Sequence, residues 1–391
     1  MKKTLYVCVY YFVKILGLCP FTRKKGRFVK VSHVGMSYNV LITILYSRAF
    51  VKAIQNRHSI RLSQETPLAV IIDTFTHVLS YSTIVSSWLV CAFRQKIFIK
   101  VFQSFKNVEN LENDLLPSMH CSKNGLEENL KEFRARFIVV NLICIIFTGS
   151  TVVIISMCED MKNQSWFWFI YNIPINVTFN VAFILTEFMR CLRKHYKIIN
   201  REASKLARSR KRSFARMPMA FSKKLQTIGR IHSDLTELGE TVVKLFSLPV
   251  LMTVHGHSAN IILAIHGLYR ILKSDQSMGG PCVLYAPTVK FMIYSIIIFF
   301  ICSIPVSTCN EADKTLRIIG QIPYEWHEEE MHNKMIKNLM FQLYQKRLQV
   351  SIFGFFNLDY SLFRNVWIVI IMYLIFVLQL DPSSFIFAIL K

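Results

Sequence analysis

Long apolar stretches alternate with charged ones along this chain, and seven of the apolar stretches have bilayer-crossing length. They run roughly 35–54, 68–93, 137–158, 165–189, 242–268, 283–306 and 362–380. About 20 apolar residues, rising 1.5 Å each as a helix, cross a hydrocarbon core of about 30 Å. The first and fifth stretches are the least uniform. Arg48 and Lys52 sit late in the first, and His255, His257 and His266 lie in the fifth. The pattern predicts an all-α membrane protein with seven transmembrane helices.

Two weaker patterns flank these spans. The N-terminus, MKKTLYVCVYYFVKILGLCPF, resembles a signal peptide, but Lys14 interrupts its apolar run. No A-x-A site follows, whereas Arg23, Lys24, Lys25, Arg27 and Lys30 do. A basic cluster there resists translocation, so a retained cytoplasmic helix lying in the interface is expected. From Glu328 to Leu348, Met331, Met335, Leu339 and Tyr344 recur at helical spacing, which predicts an amphipathic helix. Acids at its start and Lys346 and Arg347 at its end suit the helix dipole.

Charge then sets the orientation. With 52% hydrophobic residues and positive mean hydropathy, the chain is too apolar for an ordinary soluble protein, yet its formal charge is +23. Lys and Arg number 8 in the N-terminal segment, 8 in 94–136, 14 in 190–241 and 6 in 307–361. The alternate loops and the C-terminus together hold only 6. The positive-inside rule therefore puts the N-terminus in the cytoplasm and the C-terminus outside. The basic excess is an orientation signal and an anionic-lipid contact, not a nucleic-acid patch. Ten cysteines show no CxxC pair, so neither a zinc site nor a disulfide framework is indicated. Only Cys158 and Cys282 fall on the expected exterior, and spacing leaves open whether they pair.

The closing stretch carries the most pattern. Asn365, Met372 and Gln379 stand seven residues apart on nearly one helical face, with Ile368 and Ile375 between them. An amide is costly against lipid, so that face is expected to meet protein or water. GFFNLDYSLF followed by MYLIFVLQL resembles the C-terminal signature of the insect gustatory receptors, within the insect chemoreceptor superfamily. Gly354, Phe355, Phe356, Leu358, Asp359, Tyr373 and Gln379 stand as in that signature. Met372 replaces its Thr and Leu380 its closing Phe.

The resemblance implies a subunit of a tastant-gated, non-selective cation channel in the plasma membrane of gustatory neurons. It implies that 362–380 lines the pore, with Ile368, Met372, Ile375 and Gln379 facing it, and that 307–361 anchors four like or related subunits together. The residues alone leave two alternatives open. Gln379 could instead bond a neighbouring helix, and the amphipathic segment could pack only on its own chain. Arg364 would oppose cations in the pore, so it is expected to turn toward Asp359 or lipid headgroups. The remaining organisation is a cytoplasmic 1–34, a ligand-binding region 35–306 and an extracellular tail 381–391.

A small organic ligand is expected between the outer halves of spans two to six. Asp73, His77, Thr151, Trp168, Tyr171, Asn172, His257, Tyr285 and Lys290 are the facing candidates, aromatic walls with a few polar groups. Asp73 and Lys290 are intramembrane charges and plausible partners. HEEEMH at His327 to His332 spaces its histidines five apart, whereas a zincin helix needs four. The sequon at Asn163 abuts the fourth span too closely for modification to be expected. No phosphate loop or nucleophile elbow occurs, so neither enzyme nor cofactor is expected. A metabotropic seven-span receptor and an odorant-type subunit needing a co-receptor are the rival readings.

Overall fold

The computed structural model describes residues 12–18, 22–23, 29–61, 67–115, 123–157, 165–212, 219–273, 281–322 and 330–380. Among them the helices are α1 (His33–Arg61), α2 (Pro67–Phe93), α3 (Gln95–Leu115), α4 (Lys123–Met157), α5 (Ser165–Arg212), α6 (Met219–Lys273), α7 (Pro281–Gly320), α8 (Glu330–Gln345) and α9 (Tyr360–Leu380). Two short antiparallel pairs accompany them: β1 (Thr22–Arg23) with β2 (Val29–Lys30), and β3 (Ser351–Ile352) with β4 (Phe356–Asn357). Local chemistry marks the helix starts. Pro67 and Pro281 occupy first helical positions, where a missing N–H leaves no bond unmade. Ser32 Oγ accepts the Gly35 N–H at 3.1 Å and caps α1.

Six of these helices are long and apolar enough to cross a membrane among the described residues, and Tyr360–Phe376 of α9 is a shorter apolar helix. The seven apolar stretches of the sequence thus fall on α1, α2, α4, α5, α6, α7 and α9. Among the described residues, much of the basic segments between them is helical rather than looped. With 48 residues α5 is about 72 Å long, and with 55 residues α6 is about 82 Å, more than twice a bilayer core. Their surplus turns form, with the end of α7, a helical stalk.

Among the described residues, that stalk holds many of the largest fully buried side chains. Leu192, Tyr196 and Ile199 of α5 meet Leu225, Ile228, Ile231 and Leu235 of α6, all fully buried. A polar seam runs through it. Asn200 Nδ2 donates to the Glu311 carbonyl at 2.8 Å and its carboxylate at 3.0 Å, and Asn200 Oδ1 accepts from Thr315 at 2.7 Å. Nearby Tyr196 and Thr236 share a hydrogen bond of 3.0 Å. On the flank of α6 a Cβ at Gly229 would overlap Leu339 Cδ1 of α8, so any side chain there would require Leu339 to shift.

Residues 12–18 dock on the bundle through their backbone carbonyls. Tyr38 OH donates to Ile15 O, Trp88 Nε1 to Leu16 O and Asn39 Nδ2 to Gly17 O, each at 2.7 Å. Gln95 clamps Ser32, accepting its N–H at 2.9 Å and donating to its carbonyl at 3.3 Å. Residues 1–11, where much of the expected interface helix lies, fall outside the described residues.

Candidate functional site

The signature GFFNLD builds the approach to α9. After α8 the chain makes a tight hairpin, with Ser351 opposite Asn357 and Ile352 opposite Phe356. Its tip is left-handed at Phe353 (φ 50°) and Gly354 (φ 77°), which suits glycine and explains Gly354. Leu358 is buried and its N–H bonds Val350 O at 2.8 Å, fixing the exit. Asp359 then caps α9: its Oδ1 accepts from Ser361 N at 2.9 Å, Leu362 N at 3.1 Å and the Ser361 hydroxyl. Although partial burial pulls the other way, the bonds from Ser361 and Leu362 hold this carboxyl below the usual range. Phe356 packs partly buried, while Phe355 is exposed. The hairpin also separates α8 from α9, so the amphipathic segment is a helix of its own.

From that cap α9 lies against α6 and α7 by one side only. Ile370 is fully buried, flanked by Leu362, Phe363, Val366, Trp367 and Leu374. Phe363 and Trp367 meet Phe299 and Phe291 of α7 edge-on, each with ring centres 5.8 Å apart. The other side is open: Met372 is 66% exposed, Ile368 51% and Ile375 47%, and Asn365 and Gln379 are exposed as well. Tyr373 sits half-buried at the edge of the packed stripe. Arg364 is exposed, within electrostatic reach of Asp359, whose carboxylate it favours.

The ligand-facing candidates divide. His77 on α2, Asn172 on α5 and His257 on α6 are buried, and Lys290 on α7 is half-buried. Of these four helices, α5 and α6 pack on each other and on both α2 and α7. The side chains of Asp73, Thr151, Trp168, Tyr171 and Tyr285 lie outside the described residues, as do Cys158, Asn163 and the side chain of Cys282. His257 lies against the Tyr294 ring of α7, centres 4.7 Å apart, and its Nε2 is buried with no hydrogen-bond partner among the described residues. Sequence reasoning missed Tyr294, although it stands one turn beyond Lys290 on the same helix. Beside this pair α2 and α6 approach closely: Asn260 donates to Ser80 at 2.9 Å and Thr83 to Met252 O at 3.1 Å. A separate cavity of about 10 Å³ lies among Leu18, Ser87, Cys91, Phe98, Phe246 and Pro249, room for about one water. It sits about 15 Å along α2 from His77.

The family model for the 7tm chemosensory receptor matches residues 7–384. The chain belongs to that family. The insect chemoreceptor resemblance carried by GFFNLD and by Tyr373 to Gln379 is thereby upheld. Among solved structures, this chemosensory receptor is similar to the insect olfactory receptor OR5 from Machilis hrabei in complex with eugenol. The TM-score is 0.67 at 13% identity, covering 97% of this chain and 99% of that one. A second structure of the same olfactory receptor gives a TM-score of 0.59 at 10% identity, covering 96% and 98%. At such identities the likeness is one of fold. No curated protein matches the sequence.

Proposed function

We propose that this receptor is a subunit of a tastant-gated, non-selective cation channel in the plasma membrane of gustatory neurons. In this reading the N-terminus is cytoplasmic, the C-terminus extracellular, and α9 lines the pore. The observation that carries it is the one-sided attachment of α9. Its packed stripe is spent on α6 and α7, while the face bearing Asn365, Ile368, Met372, Ile375 and Gln379 has no cover from the described residues of its own chain. A lipid-facing helix has no use for amides at two positions of that face, whereas a water-filled axis shared with further subunits satisfies them. Ile375 then forms an apolar ring that closes by dewetting, and Gln379 offers carbonyl oxygens to cations at the mouth.

The ligand in this reading is a small organic molecule held among α2, α5, α6 and α7, near His77, Asn172, His257 and Lys290. Eugenol, the compound in the Machilis complex, is of that size and kind. Because α9 packs on α6 and α7, a ligand that favours one arrangement of those helices biases the pore. It gates only if it binds the open and closed arrangements with different affinity. The test is to express the chain alone and record currents against a tastant panel, then repeat with Ile375 and Gln379 replaced. Altered resting leak or permeation in the variants supports α9 as the pore, and unchanged conduction in both removes it. Responses that require a G protein would make the receptor metabotropic. Responses that require a second receptor subunit would make it odorant-type.

A further inference from the structure

Between Thr253 and Asn260 the polar side chains of α6 are bonded to neighbours, with one exception. Thr253 donates to Pro249 O and Ser258 to Val254 O, each at 2.7 Å. The exposed His255 has its Nδ1 2.8 Å from Leu251 O. Asn260 Nδ2 donates to Ser80 of α2 at 2.9 Å and to Gly256 O at 2.7 Å. His257 is the exception. It is 4% exposed, and its Nε2 is buried with no hydrogen-bond partner among the described residues. That nitrogen has given up water without replacing it, a cost that any group able to complete the bond removes.

The neighbouring side chains have little to offer it. Val254 and Ile261, about one turn to either side, are buried and apolar, as are Ile293 and Ile297 near Tyr294 on α7. Tyr294 gives ring contact, its centre 4.7 Å from that of His257 and its plane tilted by 35°. Among the described residues, one other buried and unpartnered side-chain atom lies in the membrane part of α2, α5, α6 and α7, namely Asn180 Oδ1. The amide of Asn180 is turned to α4, however, donating to Asn141 there at 3.0 Å and to Asn176 O on its own helix at 2.8 Å. His257 is left as the unanswered group where α6 meets α7.

A hydroxyl donates to a bare imidazole nitrogen and accepts from a protonated one, so it serves either tautomer of His257. Between such apolar walls, a second polar group at that end of a ligand would go unpaired. We propose that His257 Nε2 is the recognition point for the hydroxyl of a small, otherwise apolar alcohol or phenol. The site rests on the reading of α2, α5, α6 and α7 as the ligand-holding helices, and adds what the ligand carries. Tyr294 stands three residues from Phe291, whose ring meets Trp367 of α9. A hydroxyl seated at His257 thus lies against the stretch of α7 that carries α9.

Purified full-length receptor in one detergent is titrated with para-propylphenol and with para-propyltoluene, which has a methyl in place of the hydroxyl. The Kd of each is read from thermal stabilisation. The same pair is run on His257→Phe, which keeps a ring against Tyr294 and loses the nitrogen. Partition into the micelle is common to both proteins and cancels when their preferences are compared. The phenol should stabilise wild type saturably, and the variant should lose about fivefold or more of the preference for phenol over toluene. A smaller loss overturns the proposal, and His257→Leu takes the place of the phenylalanine variant if that one does not fold. Absence of saturable stabilisation of wild type by the phenol overturns it without any variant. Because the readout is binding, the channel reading fails separately: tastant-evoked currents without phenol binding would sink the site alone, and hydroxyl-dependent binding without currents would sink the channel alone.

Discussion

Asn200 gives the sharpest test of how the stalk is held. It is buried at the meeting of α5 and α7, where one amide serves the Glu311 carbonyl, the Glu311 carboxylate and the Thr315 hydroxyl. Asn200→Leu removes all three bonds. Two are neutral at about 1 kcal/mol each, and the one to the carboxylate is worth about 1.5–3 kcal/mol. Thr315 can fall back on the carbonyl one turn earlier, and the leucine gains about 1–2 kcal/mol of burial. The net loss is then about 2 kcal/mol. At about 2.1 cal/mol/K per residue, that is a fall in Tm of about 2–3 °C for a chain of 391 residues.

The decisive measurement is the double-mutant cycle with Thr315→Val. Alone, Thr315→Val strands Asn200 Oδ1 and should cost about 1–2 kcal/mol. On the Asn200→Leu background its cost should fall close to zero, a coupling of about 1 kcal/mol or more. Thermal unfolding of the four purified proteins in one detergent, followed by thiol-reactive fluorescence, reads both numbers. Additive losses would refute the seam, because the two residues would then be acting independently.

Two further outcomes follow from the contacts at either end of the chain. Replacing Asp359 by Asn keeps a cap acceptor but removes the charge at the start of α9, and should cost about 0.5 kcal/mol. Since the folded carboxyl lies below its unfolded value, this contribution is complete above about pH 5 and is lost as pH falls through the folded value. Wild type and variant should therefore draw together as pH falls below about 4, and a gap that does not narrow at all in acid would contradict the contribution. Trp88→Phe deletes the donor to Leu16 O and should cost about 1 kcal/mol, which is about fivefold in local opening. Limited proteolysis should cut near residues 12–18 correspondingly faster, and equal rates would mean that the indole bond does not hold the segment.

The spans were legible in the sequence because a bilayer's thickness turns length and apolarity into a local signal. Asp359 was visible in the same way as a family signature residue, and its physical role as a helix cap follows from the Ser361 and Leu362 N–H groups just beyond it. The stalk was not read. Leu192, Tyr196 and Ile199 carry a helical repeat, but Arg193, Lys194 and Lys197 among them gave 190–241 the composition of a basic loop. Charge marked the segment, while burial of one face against α6 made it a core.

What tertiary structure alone decided is which side of each helix is spoken for. The seven-residue spacing of Asn365, Met372 and Gln379 set them on one face, yet only the packing of Ile370, Phe363 and Trp367 on its neighbours showed that this face is the open one. The meetings of His257 with Tyr294, of His195 with Glu112 and of Asn200 with Thr315 join residues tens of positions apart. A repeat along one helix fixes directions around its own axis. Which partner lies in each direction depends on how the other helices pack around it.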